Sequence, residues 1–426
     1  MTAALSVLVL MLVAGSAVAQ DDWDDGWDEA LPIEIHGFVE AAGGARVVDD
    51  PAQPDDFVLG EARFRLDLAH YTDLAETAFK GDFIQDAILD DFLIDIRTAL
   101  VVMHFANWFD LRAGRQILTW GTGDFVFVND LFPKDWVSFF IGRADEFLKA
   151  PSNSLKFSFY SANANLDVVW TPIFTPDRFI TGERLSFFDP SASSFTSATI
   201  MGQPLDPVAP AKEIDNSELA ARLYGTAAGY ELALYGYGGF TRRPLAYHPV
   251  AMKPTYSRLG VYGGSVRGNL FGGIANIEAA FYDSRGDRDG NNPNVPNSQV
   301  RGLAGYEFEA FANFTVGLQY YGEYTLDYDS LTANSPWPQF EPDELRQWIT
   351  TRFNWRLLQD TLLLSFFAFI GIDERDTHMR PLVSYRWTDA VTLDTGANIM
   401  YGRDDHTFFG QLENNTNVYA RIRYSF

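Results

Sequence analysis

The feature that most limits how this chain can fold is an alternation of polar and apolar residues, with a period of two, along almost its whole length. In the stretch 57–71, Arg63 and Arg65 fall on one face, whereas Phe64 and Leu66 fall on the other. This is the period of a β-strand with one buried face. Many such stretches exceed the roughly 5–6 residues usual in soluble sheets, and they suit a tilted membrane crossing of about 9–11 residues.

The connections between these stretches alternate between short and long. Short turns are predicted near residues 72–76, 106–108, 162–165, 228–230, 269–272, 313–315, 359–361 and 388–390. Longer polar segments, such as 285–297 and 330–343, separate them. Short turns on one side and long loops on the other are typical of an outer-membrane barrel. We therefore predict an all-β fold: a transmembrane antiparallel β-barrel of about 18 strands, with about 16 as the alternative and both termini in the periplasm.

The aromatic residues argue against the alternative fold, a secreted soluble β-sandwich or propeller. The apolar face of the strands is the aromatic one, and rings gather near strand ends, as at Trp108, Trp170 and Trp387. Rings at these levels form the interfacial girdles of membrane barrels. The final residue, Phe426, closes an alternating segment and resembles the terminal signal of bacterial outer-membrane proteins. We predict a location in the bacterial outer membrane, with outer-membrane lipid as a partner.

The first residues predict export. An apolar run is followed by the small-residue pattern Ala17-Val18-Ala19, as in a signal peptide, and the run is too short to cross a bilayer as a helix. We divide the chain into a signal peptide at 1–19, an acidic periplasmic tail at 20–30 and a barrel at 31–426.

The tail contains two tryptophans, Trp23 and Trp27, among six acids. Dense like charges repel, which favours a solvated periplasmic tail. The alternative is a docking peptide for a periplasmic protein, anchored by the two tryptophans. Calcium binding is a third alternative, although the spacing of an EF-hand loop is absent.

Composition excludes several classes of function. The chain has no cysteine, which excludes disulfides, thiolate metal sites, cysteine nucleophiles and covalent haem. Its net charge of −25 argues against a nucleic-acid partner. The six histidines are scattered, so we predict no metal and no cofactor, and we find no catalytic arrangement that indicates an enzyme. We assign the acidic excess to the tail and to loops such as 82–91.

The polar strand faces predict what lines the pore, because the apolar faces must meet lipid. The predicted pore-lining residues are Arg63, Arg65, Arg97, Arg112, Arg222, Glu307, Glu309, Glu323, Arg346, Arg352, Arg356, Arg386, Arg421 and Arg423. Bases concentrate on one arc of the wall and acids on another. Two interpretations stay open: mutual neutralisation that keeps the wall hydrated, and a transverse field that favours anionic groups along the arginine arc.

Two long segments, 118–151 and 172–215, interrupt the regular succession of β-hairpins. The first is strongly apolar, so it must pack somewhere, either as a constriction inside the lumen or as a cap on neighbouring loops. The predicted constriction residues are Asp124, Phe125, Asp130, Phe132, Lys134, Asp135 and Trp136. The role of the second segment is left undetermined.

One stretch, Leu111–Gly121 (LRAGRQILTWG), carries a Gly-Arg-Gln pattern followed by Trp-Gly. With the strand count and the aromatic terminal strand, it resembles the alginate-export type of porin-like outer-membrane β-barrel. The resemblance implies a substrate-conducting barrel for an acidic polysaccharide, with Arg112 facing the substrate and Arg115 out of phase at a bulge or rim. The abundant lumen acids depart from what a polyanionic substrate requires.

From these features we predict a porin-like channel that passes polar or anionic solutes, or a secreted polysaccharide, across the outer membrane. One alternative is a transporter for hydrophobic compounds, gated by an inward-folded loop. The other is a barrel that serves as a scaffold for a periplasmic partner.

Overall fold

A computed structural model describes residues 33–426, and these form a closed barrel of 18 antiparallel strands. The strands are β1 Glu34–Arg46, β2 Phe57–Tyr71, β3 Ala75–Asp86, β4 Asp91–Ala106, β5 Phe109–Gln116, β6 Ser152–Phe159, β7 Asn165–Thr171, β8 Glu218–Ala227, β9 Tyr230–Phe240, β10 Arg258–Leu270, β11 Gly273–Ser284, β12 Gln299–Phe311, β13 Phe314–Thr325, β14 Leu345–Leu357, β15 Leu362–Gly371, β16 Asp376–Arg386, β17 Val391–Gly402 and β18 Asn417–Ser425. Each strand pairs with its sequence neighbours, and β18 pairs with β1 to close the barrel. The prediction of 18 strands is confirmed, and the alternative of 16 is wrong.

The two ends of the barrel differ as the sequence predicts. The short turns are the connections 72–74, 107–108, 160–164, 228–229, 271–272, 312–313, 358–361 and 387–390, and they share one end, the turn rim, with the start of β1 and the end of β18. The other end, the loop rim, carries the long connections. In the turn of Phe271 and Gly272 both residues have positive φ, 47° and 85°, the type I′ geometry that matches strand twist.

The outer face of the barrel is apolar. Outward side chains such as Leu234 and Ile277 are 64% and 60% exposed, whereas Glu278, next to Ile277, is 1% exposed on the luminal face. Such alternation places apolar groups against lipid and polar groups inside. Among residues 33–426, no helix is long and apolar enough to cross a bilayer.

The connection between β5 and β6, residues 117–151, lies inside the barrel, and we call it the luminal loop. It contains helix α1, Trp136–Ile141, and a 3₁₀ turn, Asp145–Leu148. Its rings pack on the wall: Phe139 lies 6.4 Å from Phe369 between ring centroids. Apolar burial explains why so hydrophobic a segment is stable here.

The other long connections lie at the loop rim. Residues 172–217 contain a short hairpin, Phe187–Asp189 with Ser194–Thr196, and helix α2, Ala198–Met201. A second hairpin, Ala246–His248 with Lys253–Thr255, follows β9. Helix α3, Tyr328–Asn334, precedes β14.

The assignment of residues 82–91 to an acidic loop is wrong. Strand β3 continues to Asp86, and both Asp82 and Asp86 are fully buried on the luminal face. Asp82 lies opposite Arg65 in the strand register and accepts hydrogen bonds from it at 2.6 and 2.8 Å. A buried carboxylate needs such partners, and the pairing depends on a register that the alternation alone does not reveal.

Candidate functional site: the lumen and its loop

Luminal arginines bind the acidic residues of the luminal loop. Glu146 accepts hydrogen bonds from Arg65 at 2.5 Å and from Arg423 at 2.9 Å. Asp145 accepts one from Arg380 at 2.8 Å. The donors come from β2, β18 and β16, so the 3₁₀ turn is tied to three strands. Charge-assisted bonds of this kind are roughly twice as strong as neutral ones.

Other arginines donate to backbone carbonyls of the same loop. Arg97 donates to the carbonyl oxygens of Glu146 and Lys149, at 2.9 and 2.8 Å. Arg421 donates to that of Gly142 at 2.8 Å. These bonds satisfy backbone groups that an irregular buried loop would otherwise leave unpaired.

The first turn of the luminal loop is held from the far wall. Asp124 forms a two-pronged ion pair with Arg352 of β14, and Gln319 of β13 hydrogen-bonds both its backbone N–H, at 2.8 Å, and its carbonyl, at 2.9 Å. Phe125 packs edge-on against Phe367, with 4.9 Å between centroids. The loop thus crosses the lumen from β5 to β13 and β14.

Glu278 of β11 holds the segment between these anchors. Its carboxylate accepts the backbone N–H groups of Thr122 and Gly123, the latter at 2.9 Å. Its second oxygen accepts the side-chain amide of Asn129 at 2.9 Å. Three donors of the loop therefore meet one buried carboxylate.

Between the luminal loop and the loop rim lies a cavity of about 530 Å³, which we call the vestibule. Its apolar surfaces include Phe125, Phe139 and Phe369. Glu323, which is buried, accepts a hydrogen bond from Arg346 and lies 3.2 Å from Arg301. The vestibule therefore combines aromatic rings with a cluster of guanidinium groups.

Arg243 is a further guanidinium of the vestibule. Among residues 33–426 its side chain has no hydrogen bond and no ion pair, and it lies over the Phe408 ring at 5.2 Å. Burial lowers its pKa, yet arginine stays charged at neutral pH. This cation is therefore available to a solute.

An acid with unusual titration faces the same cavity. Glu374, in the connection between β15 and β16, has one buried carboxylate oxygen without a hydrogen-bond partner among residues 33–426. Burial raises its pKa to about 7. The negative charge of the vestibule therefore changes near neutral pH.

Of the remaining predicted constriction residues, all but Asp135 line the vestibule, and Asp135 lines a second cavity. Lys134 pairs with Asp130 at 3.0 Å, and Trp136 donates to Asp177 at 2.8 Å. Phe132 packs edge-on against Trp120. Asp135 begins α1 by accepting the N–H of Ser138 at 2.7 Å, and it also binds Arg178 at 3.2 Å.

The predicted pore-lining residues separate into two groups. Arg63, Arg65, Arg97, Arg346, Arg352, Arg421, Arg423 and Glu323 contact partners inside the barrel. Arg112, Arg356, Arg386, Glu307 and Glu309 are exposed towards the turn rim, and Arg222 pairs there with Glu231 at 2.5 Å. Arg115, out of phase, donates to the carbonyl of Ile96 beside a bulge in β4.

Sequence reasoning missed Arg243, Glu374, Arg178 and Glu146. Each lies in a loop, where the alternation of polar and apolar residues does not indicate which way a side chain points. The available signal was a charged side chain inside an otherwise apolar segment, as at Glu146, or an arginine pair, as at 242–243. Trp23, Trp27 and the proposed signal peptide lie outside the described residues.

Comparison with known proteins gives a match in structure only. No family model and no curated protein matches the sequence. OccD3 of Pseudomonas aeruginosa matches with a TM-score of 0.54 at 9% identity, over 92% of this chain and 91% of that one. OccAB1 of Acinetobacter baumannii gives 0.55 at 10%, over 96% and 99%. OccK2 of P. aeruginosa, in complex with glucuronate, gives 0.53 at 10%, over 92% and 97%. The chain therefore has the fold of the outer-membrane porin barrels.

Proposed function

We propose that this protein is a substrate-selective outer-membrane channel for small polar solutes that carry an anionic group. The observation that carries the proposal is Arg243, a cation in the vestibule with no acidic partner among residues 33–426. A guanidinium offers a planar pair of N–H donors that matches a carboxylate. The solute would bind at this group before it passes the luminal loop.

The size of the vestibule favours a small solute over a polymer. Its volume of about 530 Å³ falls within the range of small-molecule sites. The luminal loop fills the barrel beneath it and is tied to the wall by Arg65, Arg352 and Glu278. A polysaccharide, which the resemblance to alginate-export proteins implies, would need this loop to leave its anchors.

Charge supports the same choice. The vestibule has as many acidic as basic side chains in all, but next to Glu323 the arginines Arg301, Arg346 and Arg243 outnumber the acid, so the positive excess is local. The aromatic surfaces would hold the carbon skeleton of the solute. Because OccK2 was solved with glucuronate, a sugar acid of suitable size, glucuronate is a reasonable first probe.

The test is the block of single-channel current by glucuronate in planar bilayers, with glucose as the neutral comparison. We expect glucuronate to interrupt the current at lower concentration than glucose does. Arg243→Gln should raise the half-blocking concentration about tenfold, since a hydrogen bond to a charged group contributes roughly 1.5–3 kcal/mol. Arg285→Gln, an exposed arginine at the loop rim, is the matched control. Equal block of both variants would refute the site.

A further inference from the structure

The barrel wall is shortest at three consecutive strands. β5, β6 and β7 have 8, 8 and 7 residues, whereas the neighbouring β4 has 16. These three lengths fall below the roughly 9–11 residues that a tilted strand needs to cross a membrane. β5 pairs only with the half of β4 that follows Ala99. In the described part of the chain, residues 33–426, the first half of β4, residues 91–98, therefore has no strand on its β5 side.

This open edge of β4 stays without a backbone partner. Within residues 33–426, residues 91–98 form backbone–backbone hydrogen bonds only with β3. Arg115 donates to the carbonyl of Ile96 and so satisfies one group of the edge with a side chain. The outward side chains here are apolar: Phe92 and Ile94 are 57% and 59% exposed. An open edge among apolar groups is unusual, because lipid cannot satisfy backbone polar groups.

A second cavity, of about 430 Å³, lies beside this edge. Its lining includes luminal side chains such as Arg63 and Phe147, and also Ile94, which points outward. Residues of the luminal loop and of segment 172–217, among them Val137 and Ile180, complete it. The cavity thus extends from the lumen to the outer surface at the place where the wall lacks a strand. A cavity is the circumstance in which an open backbone edge is tolerated at membrane depth.

One arginine links the three elements around the gap. Arg178, in the segment that follows β7, donates to Asp95 of β4 at 2.7 and 2.8 Å. It also donates to Asp135 of the luminal loop at 3.2 Å. Arg178 is partly exposed, whereas Asp95 and Asp135 are largely buried. Removal of this side chain would release the segment from Asp95 of β4, whereas the backbone hydrogen bonds of Arg178 with Lys134 and Trp136 would still join it to the luminal loop.

We propose that the gap beside residues 91–98 is a lateral portal, through which an apolar molecule dissolved in the membrane reaches the 430 Å³ cavity. The outward apolar residues at its mouth, Phe92 and Ile94, indicate an occupant that arrives from the lipid phase. Each arginine that lines the cavity is ion-paired, as Arg178 is with Asp95, and the lining has as many acids as arginines, so it offers no net formal charge to an ionic ligand. This site is distinct from the vestibule and from the anionic solutes proposed for it.

The test uses the absence of cysteine, since a single introduced cysteine can be spin-labelled. Ile180→Cys and Val137→Cys place labels in the cavity. Ile277→Cys is the lipid-facing control, and Leu245→Cys is the vestibule control. In phospholipid vesicles, collisions are measured with oxygen, which concentrates in hydrocarbon, and with a nickel chelate, which stays in water.

We expect the ratio of oxygen to nickel collisions at Ile180 and Val137 to exceed that of the Leu245 label at least about fivefold, because polar groups are excluded from hydrocarbon. Added 12-doxyl-stearate should broaden the Ile180 spectrum and leave that of Leu245 unchanged. Arg178→Ala should raise the oxygen collision rate further. Nickel collisions equal to those at Leu245, or exclusion of both reagents from the two cavity labels, would overturn the portal. Either outcome leaves the block by glucuronate unaffected.

Discussion

Replacement of Glu278 tests whether the luminal loop is fixed by the wall. The wild-type carboxylate accepts hydrogen bonds from the N–H groups of Thr122 and Gly123 and from the amide of Asn129. Glu278→Ala removes all three acceptors at once. We expect the loop to detach from β11 near Thr122 while the barrel, whose strand pairing does not depend on this side chain, stays closed.

The size of the effect follows from the number of bonds. A hydrogen bond to a charged group contributes roughly 1.5–3 kcal/mol, and an N–H left unpaired in a buried site adds a cost of its own. Water can reach the freed donors once the loop moves, so the lower end of the range applies. Three bonds then give about 4.5 kcal/mol, which is roughly a thousandfold increase in the population of the detached loop, at about 1.4 kcal/mol per factor of ten.

The assay is hydrogen exchange at the amides of Thr122 and Gly123, together with single-channel recording. We expect exchange at both amides to accelerate by two to three orders of magnitude (about 10²–10³ at the stated energies) and the open-channel current to become noisier. Glu307→Ala is the matched control, because Glu307 is an exposed luminal glutamate whose side chain has no hydrogen bond among residues 33–426. If both amides keep their protection and the current stays quiet, the wall does not fix the loop in this way.

Three further predictions concern the vestibule and the loop. The pKa of Glu374 is about 7 against 4.5 for a free glutamate, so the carboxyl gains a proton and loses its negative charge as pH falls through neutrality. Block of the current by glucuronate, an anion, should therefore strengthen about threefold from about pH 8 to about pH 6. Glu374→Gln should abolish this pH dependence. Gly142 has φ +87°, and an added Cβ would lie 2.1 Å from the Tyr419 ring. Gly142→Ala should therefore lower the free energy of unfolding by about 2–4 kcal/mol, measured by heat unfolding in detergent. Gly202→Ala, where φ is also positive but the space around the added Cβ is open, should lower it less. Asp124→Arg should destabilise the luminal loop and make the open-channel current noisier. If the ion pair of Asp124 with Arg352 is the anchor, the double variant Asp124→Arg with Arg352→Asp should restore a quiet current.

The barrel was predictable because alternation is local. Residues such as Arg63 and Phe64 reveal the two faces of a strand without any knowledge of the neighbouring strand, and the short turns, such as Phe271 with Gly272, interrupt that pattern at regular places. Pairing partners were not predictable. Whether Asp82 belonged to a loop or to the wall depended on its register against Arg65, which two strands determine together.

The site was predictable only in part, for a related reason. The apolar content of segment 118–151 shows that it is buried, yet a packed cap and a luminal constriction bury the same side chains. What distinguishes them is the set of contacts to distant strands, such as Asp124 with Arg352 and Asp145 with Arg380. Arg243 illustrates the limit most clearly, because its lack of an ion pair among the described residues 33–426 is a property of its surroundings and cannot be read from the sequence.

The transverse field predicted across the lumen, between an arc of arginines and an arc of acids, should be tested at exposed arginines and not at arginines that are ion-paired with the luminal loop. Charge reversal at Arg352 or Arg423 would alter the field, but it would also release Asp124 or Glu146 and so move the luminal loop. Arg112 and Arg356 face the same lumen and have no ion pair among residues 33–426, so their charge can be changed without loss of an anchor. If the field selects solutes, Arg112→Gln with Arg356→Gln should reduce anion-over-cation permeability, measured from reversal potentials in a salt gradient, while exchange at Thr122 stays slow. Unchanged reversal potentials would restrict anion selection to the vestibule.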